Sequence, residues 1–222
     1  NYETLLVGGE KDESEDSSEF ILDKYGLTPV IIPEMRRELD PQLDYKAYQK
    51  LKEIIGGFKP DIVHTHASKA GALGRMAASS CKVPVIVHTF HGHVFHSYFG
   101  KAKTAFYKNV ERYLARKSSA IVAISEQQKK ELSDIHKICR ADKIQVIPLG
   151  FDLSRFQENK EEKRKDFREK YGLADDEIAI GIVGRLVPIK NHRFFLDAIK
   201  YLERNCDKKI KAFIIGDGEE KE

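Results

Sequence analysis

Short apolar runs alternate with longer amphipathic stretches along the whole chain. The strand-like runs are Thr4–Val7, Val30–Ile32, Ile62–His66, Val83–Phe90, Ala120–Ile124, Ile144–Pro148, Ile178–Val183 and Lys211–Ile215. Helical patterns fall between them at Tyr45–Phe58, Lys69–Ser79, Lys101–Lys117, Glu126–Ile135, Lys160–Tyr171 and Arg193–Asn205. VPVIV and IAIGIV are apolar at consecutive positions, as strands are when helices cover both faces of a parallel sheet. Strand–helix alternation of this kind predicts an α/β protein with doubly wound, Rossmann-like parallel sheets.

The pattern breaks after Gly150. FDLSRFQENKEEKRKDFREKYGLADDE (151–177) is mostly charged and holds one helical stretch, closed by Gly172. Residues 1–150 are therefore read as one domain, 151–175 as a linker with a connecting helix, and 176–222 as the start of a second domain of the same class. The first strand lies almost at residue 1 and the second domain holds a single βαβ unit, too little to cover a sheet. The sequence is thus expected to be part of a longer protein. KDESEDSSE (11–19) reads as a solvated loop.

Composition narrows the classes. The 38 basic residues are interleaved with 35 acidic ones for a net charge of +3, which argues against a nucleic-acid partner. No apolar run approaches the roughly 20 residues of a membrane helix. Cys81, Cys139 and Cys206 are far apart and odd in number, with neither zinc-type pairing nor a disulfide framework. With no secretion signal at Asn1, a cytoplasmic location is expected.

Four stretches carry candidate chemistry, each at the carboxyl end of a predicted strand, where open parallel sheets bind ligands. In PDIVHTHASKAGALGRMAA (60–78), His64 and His66 alternate with Val63 and Thr65 and so share a face. Ser68, Lys69 and Gly71 then open a small-residue helix whose N-terminus suits an anion. The plainer reading makes Ser68 an N-cap and leaves Lys69 in solvent. In HTFHGHVFH (88–96), His88 belongs to the strand and is expected to pack in or beside the core, whereas His91 and Gly92 fall at the turn. In VGRLVPIKN (183–191), Gly184 permits a tight turn, and Arg185 and Lys190 flank a loop leading to a helix at Asn191 or His192. A planar guanidinium and a point-charge ammonium together suit a diphosphate, although a solvated basic loop would look the same. IIGDGEEKE (214–222) runs a strand into a Gly-Asp-Gly turn.

In this order and spacing, DIVHTHASKAGALGRMAA, VHTFHGHVF, AIVAISE, VIPLGFDLSRF, IGIVGRLVPIKN and FIIGDGEE resemble the group 1, family 4 retaining glycosyltransferases of GT-B fold. The likeness is greatest to members that build capsular, exopolysaccharide or lipopolysaccharide chains. It implies two Rossmann-like domains, an acceptor-side N-terminal one and a donor-side C-terminal one. It further implies a nucleotide-sugar donor, expected to be a UDP-sugar, a glycan or lipid-linked acceptor, and no cofactor or bound metal. By position, Arg185 and Lys190 match the pair that holds the donor diphosphate, and Gly184 the glycine before them. Gly216, Asp217 and Gly218 match the donor-domain turn, and His91 matches the histidine that reaches the transferred sugar. His66, Ser68, Lys69 and His93 stand as acceptor-side candidates. The family's first strand and glycine-rich loop, and the glutamates that bind donor sugar and ribose, have no counterpart here, so this chain alone is expected to be inactive.

Two other enzyme classes remain open from the residues. A nucleotide-sugar epimerase would share the architecture, but the Arg185/Lys190 loop speaks against it. A metal-dependent hydrolase would use the histidines as ligands, yet residues 88–100 contain no carboxylate to complete a set. A non-catalytic binding module is the remaining class. The basic, aromatic stretch 92–117 reads either as a peripheral contact with an anionic membrane or as a helix packed on the sheet.

Overall fold

The computed structural model describes residues 2–10, 19–92 and 100–221. The chain forms two compact units, Asn1–Gly150 and Phe151–Glu222. The first holds β1 (Val7–Gly9), α1 (Glu19–Tyr25), β2 (Val30–Ile32), α2 (Pro41–Phe58), β3 (Ile62–His66), α3 (Ser68–Ser80), β4 (Val85–Phe90), α4 (Lys101–Lys117), β5 (Ala120–Ala123), α5 (Glu126–Lys130) and β6 (Ile144–Val146). β1 and β2 pair in parallel, and β3, β4, β5 and β6 form a parallel sheet in that order.

The predicted first strand, Thr4–Val7, lies further along, at Val7–Gly9. Glycine explains the shift: a Cβ on Gly9 would lie 2.0 Å from the Met35 carbonyl oxygen, so only glycine lets the backbone pass there. Helix α2 begins a turn earlier than its apolar pattern suggests. Asp40 is extended and accepts from the Gln42 and Leu43 amides at 2.9 and 3.0 Å, while Pro41 supplies a preset φ at the first turn. Lys59 ends the helix in the left-handed region at φ 52°. The predicted helix 126–135 is α-helical only to Lys130, and its last turn, Glu131–Ile135, widens to π geometry. Residues 11–18, read as a loop, lie outside the described residues, while Glu19 opens the unforeseen α1.

Helix α3 lies close against the sheet because its inward positions lack side chains. A Cβ on Gly71 would sit 2.5 Å from His88 Cε1, and one on Gly74 would sit 2.8 Å from Thr65 Cγ2. Arg75, on the same helix, is 0% exposed. Its Nε donates to the Gly71 carbonyl at 3.0 Å, and its Nη2 donates to both carboxylate oxygens of Glu111 on α4, at 3.1 and 2.9 Å. This buried pair ties α3 to α4. Apolar packing divides into one cluster around Ile32, Leu51, Ile55, Ala77 and Ile86 and another around Phe90, Ile121, Leu132 and Ile144. Helix α4 buries Leu114 and Ala115 and exposes Phe106 and Tyr113.

The second unit contains α6 (Ser154–Gln157), α7 (Lys160–Lys170), β7 (Ile178–Val183), α8 (His192–Asn205) and β8 (Ile210–Ile215). β7 and β8 run parallel, in register from Ile178↔Ile210 to Val183↔Ile215. The segment 151–175, read as a linker, is more than a connector. Phe167 on α7 and Tyr171 meet Phe213 of β8 with ring centroids 5.2 and 5.4 Å away. Arg168 donates to the carbonyls of Ala174 and Glu177, closing the turn into β7.

Candidate functional site

In the first unit, strand pairing brings the histidines together. The register places Thr65 beside His88 and His66 beside Thr89. The pleat then separates the side chains onto two faces. On the buried face, His88 is 1% exposed and packs edge-on against Phe90. Its Nδ1 lies 2.9 Å from the Thr65 hydroxyl, which itself donates to the Val87 carbonyl at 3.2 Å. That leaves the hydroxyl as acceptor and makes Nδ1 the protonated nitrogen of His88. Burial, reinforced by the Arg75 guanidinium, pushes the His88 pKa down to about 3.

This depression makes the fold acid-sensitive. The unfolded imidazole binds a proton near pH 6.5 and the folded one only near pH 3, so the stabilisation is complete above the former and drains away toward the latter. Between pH 7 and pH 5 His88 alone should remove about 2 kcal/mol of stability. Urea unfolding at several pH values should show a shallower slope for His88→Gln than for the parent; equal slopes would contradict the assignment.

On the open face, three imidazoles stand in a row. His64 Nε2 meets the Thr89 hydroxyl at 2.8 Å. The His64 and His66 rings are 4.4 Å apart by centroid. His66 Nδ1 and His91 Nε2 are 3.0 Å apart, a hydrogen bond in which one nitrogen must carry the proton. Partial burial, and the neighbouring imidazoles, lower the pKa of His64 and His66. Among the described residues no three His, Cys, Asp or Glu side chains are grouped as metal ligands. His93, together with His96, lies outside the described residues.

Two expectations about the start of α3 are corrected. Ser68 is not the N-cap: it is the first helical residue and is exposed, and the cap position falls on Ala67, at φ 60° with no side-chain bond to the helix. Lys69 is not in solvent. It pairs with Asp44 and donates to the Glu38 carbonyl, and its side chain is 15% exposed. That contact pins α3 to α2.

In the second unit, two loops are clasped backbone to backbone. The Gly184 amide donates to the Ile215 carbonyl at 3.0 Å, Leu186 to Asp217 at 2.9 Å, and Glu220 to Leu186 at 3.1 Å. A Cβ on Gly216, at φ 157°, would lie 1.9 Å from the Gly184 oxygen, and one on Gly218 would lie 2.4 Å from that of Leu186. Both glycines are thus required by close approach. Asp217 closes its own turn, accepting from the Gly218 amide at 2.8 Å and from Lys221 at 3.1 Å. The Gly218 N–H first, and Lys221 next, lower its pKa.

Arg185 and Lys190 emerge from the clasped loop exposed, with no partner among the described residues. Lys190 ends a 3₁₀ turn, Pro188–Lys190, and its stem passes 3.9 Å from where a Gly184 Cβ would be. Asn191 follows in the left-handed region at φ 50°, and its side chain accepts from the Phe194 amide at 3.3 Å, capping α8. The loop that carries both cations therefore leads into the amino end of a 14-residue helix. His192, which the sequence did not single out, is buried in the first turn of α8, and neither ring nitrogen has a hydrogen-bond partner among the described residues.

A parallel α/β fold with histidines at strand ends and a clasped cation loop can be set beside known proteins, and two family models cover most of the chain. The model for Glycosyltransferase Family 4 matches residues 2–155, and that for Glycosyl transferases group 1 matches residues 163–222. The chain belongs to glycosyltransferase family 4. It is 36% identical over 190 residues to the UDP-Gal:alpha-D-GlcNAc-diphosphoundecaprenol alpha-1,3-galactosyltransferase of Escherichia coli, across 85% of this chain and 48% of that protein. It thus spans about half the length of the curated relatives it matches. A glycosyltransferase from Rickettsia africae superposes with a TM-score of 0.67 at 23% identity, covering 91% of this chain and 50% of that one, and the fold is of the GT-B class. UDP-GlcNAc 2-epimerase from Neisseria meningitidis shares the fold, with a TM-score of 0.60 at 15% identity over 95% of this chain and 56% of that one.

Proposed function

We propose that the protein carrying this chain transfers a hexosyl or N-acetylhexosaminyl residue from a nucleotide sugar, a UDP-sugar, to a lipid-linked or glycan acceptor with retention of configuration, in the synthesis of a bacterial surface polysaccharide. The observation that carries the reading is the pair Arg185 and Lys190, exposed and unpartnered on a clasped loop at the amino end of α8. Negative charge develops on the departing diphosphate, and fixed donors placed in advance stabilise it most. Arginine offers a fork and lysine a point charge, a combination that does the work a divalent ion does elsewhere. Gly184, Gly216 and Gly218 serve this site by letting the loops close, and Asp217 by fixing the turn. His91 is assigned to the transferred sugar, and His66, Ser68 and His93 to the acceptor side. Lys69 is assigned to the acceptor side as well.

The relative from Escherichia coli, whose name specifies UDP-Gal and a diphosphoundecaprenol-linked acceptor, supports the donor and acceptor classes. The exposed rings of Phe106 and Tyr113 on the basic helix α4 support a peripheral contact with the anionic, cytoplasmic membrane face where such an acceptor lies. Epimerisation is the weaker reading, since the resemblance to epimerases is one of fold and the family is that of transferases.

The test is direct. The complete reading frame carrying this chain, given UDP-galactose, UDP-glucose or UDP-N-acetylglucosamine and a polyprenyl-diphosphate-linked sugar, should form a disaccharide in the presence of EDTA. The new bond should keep the donor's α configuration by NMR coupling. Epimerised nucleotide sugar with no transfer, or an inverted linkage, would overturn the reading.

A further inference from the structure

We infer that His66, steadied by His64, is a positioning residue that holds His91 by its Nε2 and leaves Nδ1 as the ring nitrogen His91 offers to the substrate. This rests on the proposed transferase reading, which gives His91 its place at the sugar. His91 is exposed beside Gly92, and nothing local fixes its ring: no contact to its other nitrogen is found among the described residues. An exposed histidine ordinarily samples several rotamers and both neutral tautomers. Here the chain of contacts runs from the Thr89 hydroxyl to His64 Nε2 at 2.8 Å, from the His64 ring to the His66 ring at 4.4 Å, and from His66 Nδ1 to His91 Nε2 at 3.0 Å. The parallel register of β3 and β4 sets His66 beside Thr89, and His91 follows the last residue of β4, two positions beyond Thr89. Whichever nitrogen carries the shared proton, Nε2 of His91 is engaged, and Nδ1 has no partner among the described residues. A hydrogen bond to one imidazole nitrogen fixes the role of the other, as in many catalytic and metal-bound histidines.

Two variants separate positioning from mere support. Asparagine places an amide nitrogen or oxygen near the position of His66 Nδ1, so His66→Asn keeps a hydrogen bond to His91. His66→Phe keeps the stacked ring and loses the bond. Long-range ¹H–¹⁵N spectra of the 222-residue chain should show one fixed tautomer for His91 in the parent and in His66→Asn. In His66→Phe the two nitrogens should average. In the complete reading frame, His66→Phe should lower kcat by roughly 10- to 100-fold, the scale of a misplaced reacting group, with KM for the nucleotide sugar unchanged. His66→Asn should recover most of that loss. A His91 tautomer unchanged by His66→Phe, or a kcat equal to the parent's, overturns the proposal. Absence of transfer in the parent itself would count against the transferase reading, and the spectra would still decide the hydrogen bond.

Discussion

If the proposed transferase reading holds, replacing Arg185 or Lys190 with alanine in the complete reading frame is expected to slow sugar transfer by roughly 10²- to 10³-fold, the usual consequence of removing one preorganised donor to a developing anion. The loss should appear in kcat at saturating nucleotide sugar, because the interaction strengthens as the diphosphate departs. Neither side chain has a partner among the described residues, and both are exposed, so thermal unfolding should barely change. Arg185→Lys should recover only part of the activity, since a point charge cannot reproduce a bidentate fork. Turnover within about threefold of the parent in both alanine variants would place the diphosphate elsewhere, well short of the effect expected for such donors.

The second large effect concerns stability. Glu111→Ala should destabilise the first unit by about 3–5 kcal/mol, the penalty for leaving a buried guanidinium without its counter-ion. Arg75 is wholly buried, and among the described residues only Glu111 and the Gly71 carbonyl accept from it. Burial raises the Glu111 pKa and lowers that of Arg75, with each partner opposing the shift of the other. The pair therefore balances a desolvation cost, and a joint Arg75→Met, Glu111→Leu change should recover most of the loss. Urea unfolding of the two variants beside the parent measures this, and a loss below about 1 kcal/mol for Glu111→Ala would show that the guanidinium finds other partners.

Much of the fold could be read from the sequence because buried parallel strands leave consecutive apolar runs. β2, β3 and β7 fall where the pattern puts them. The elements that moved did so for reasons a periodicity cannot carry. Gly8 and Gly9 have no hydrophobic signature, yet both pair with β2, and at Gly9 the backbone passes so close to Met35 that a side chain would not fit. Asp40 and Pro41 spell a helix start through capping chemistry, outside the apolar repeat.

At the candidate site, the shared face of His64 and His66 and the burial of His88 follow from alternation along a strand. The bond from His66 to His91 could not be anticipated, because it depends on how β3 and β4 pair and joins residues 25 positions apart in sequence. Arg75 was invisible for a similar reason. Among small residues it looks like a solvent-facing position, and its partner lies 36 residues away. His192 carried no signal at all, being one polar residue at a helix start.

The glycines of α3 give the site a hidden vulnerability. Gly71 touches no substrate in any reading above, yet a methyl group there would strike the His88 ring and come within 3.2 Å of the His66 carbonyl. Either the helix would lift or the strands bearing the histidines would shift. An activity screen would then score Gly71 as essential and tempt one to count it among the reacting groups. What such a screen would report is the thickness of a layer, set by a missing atom.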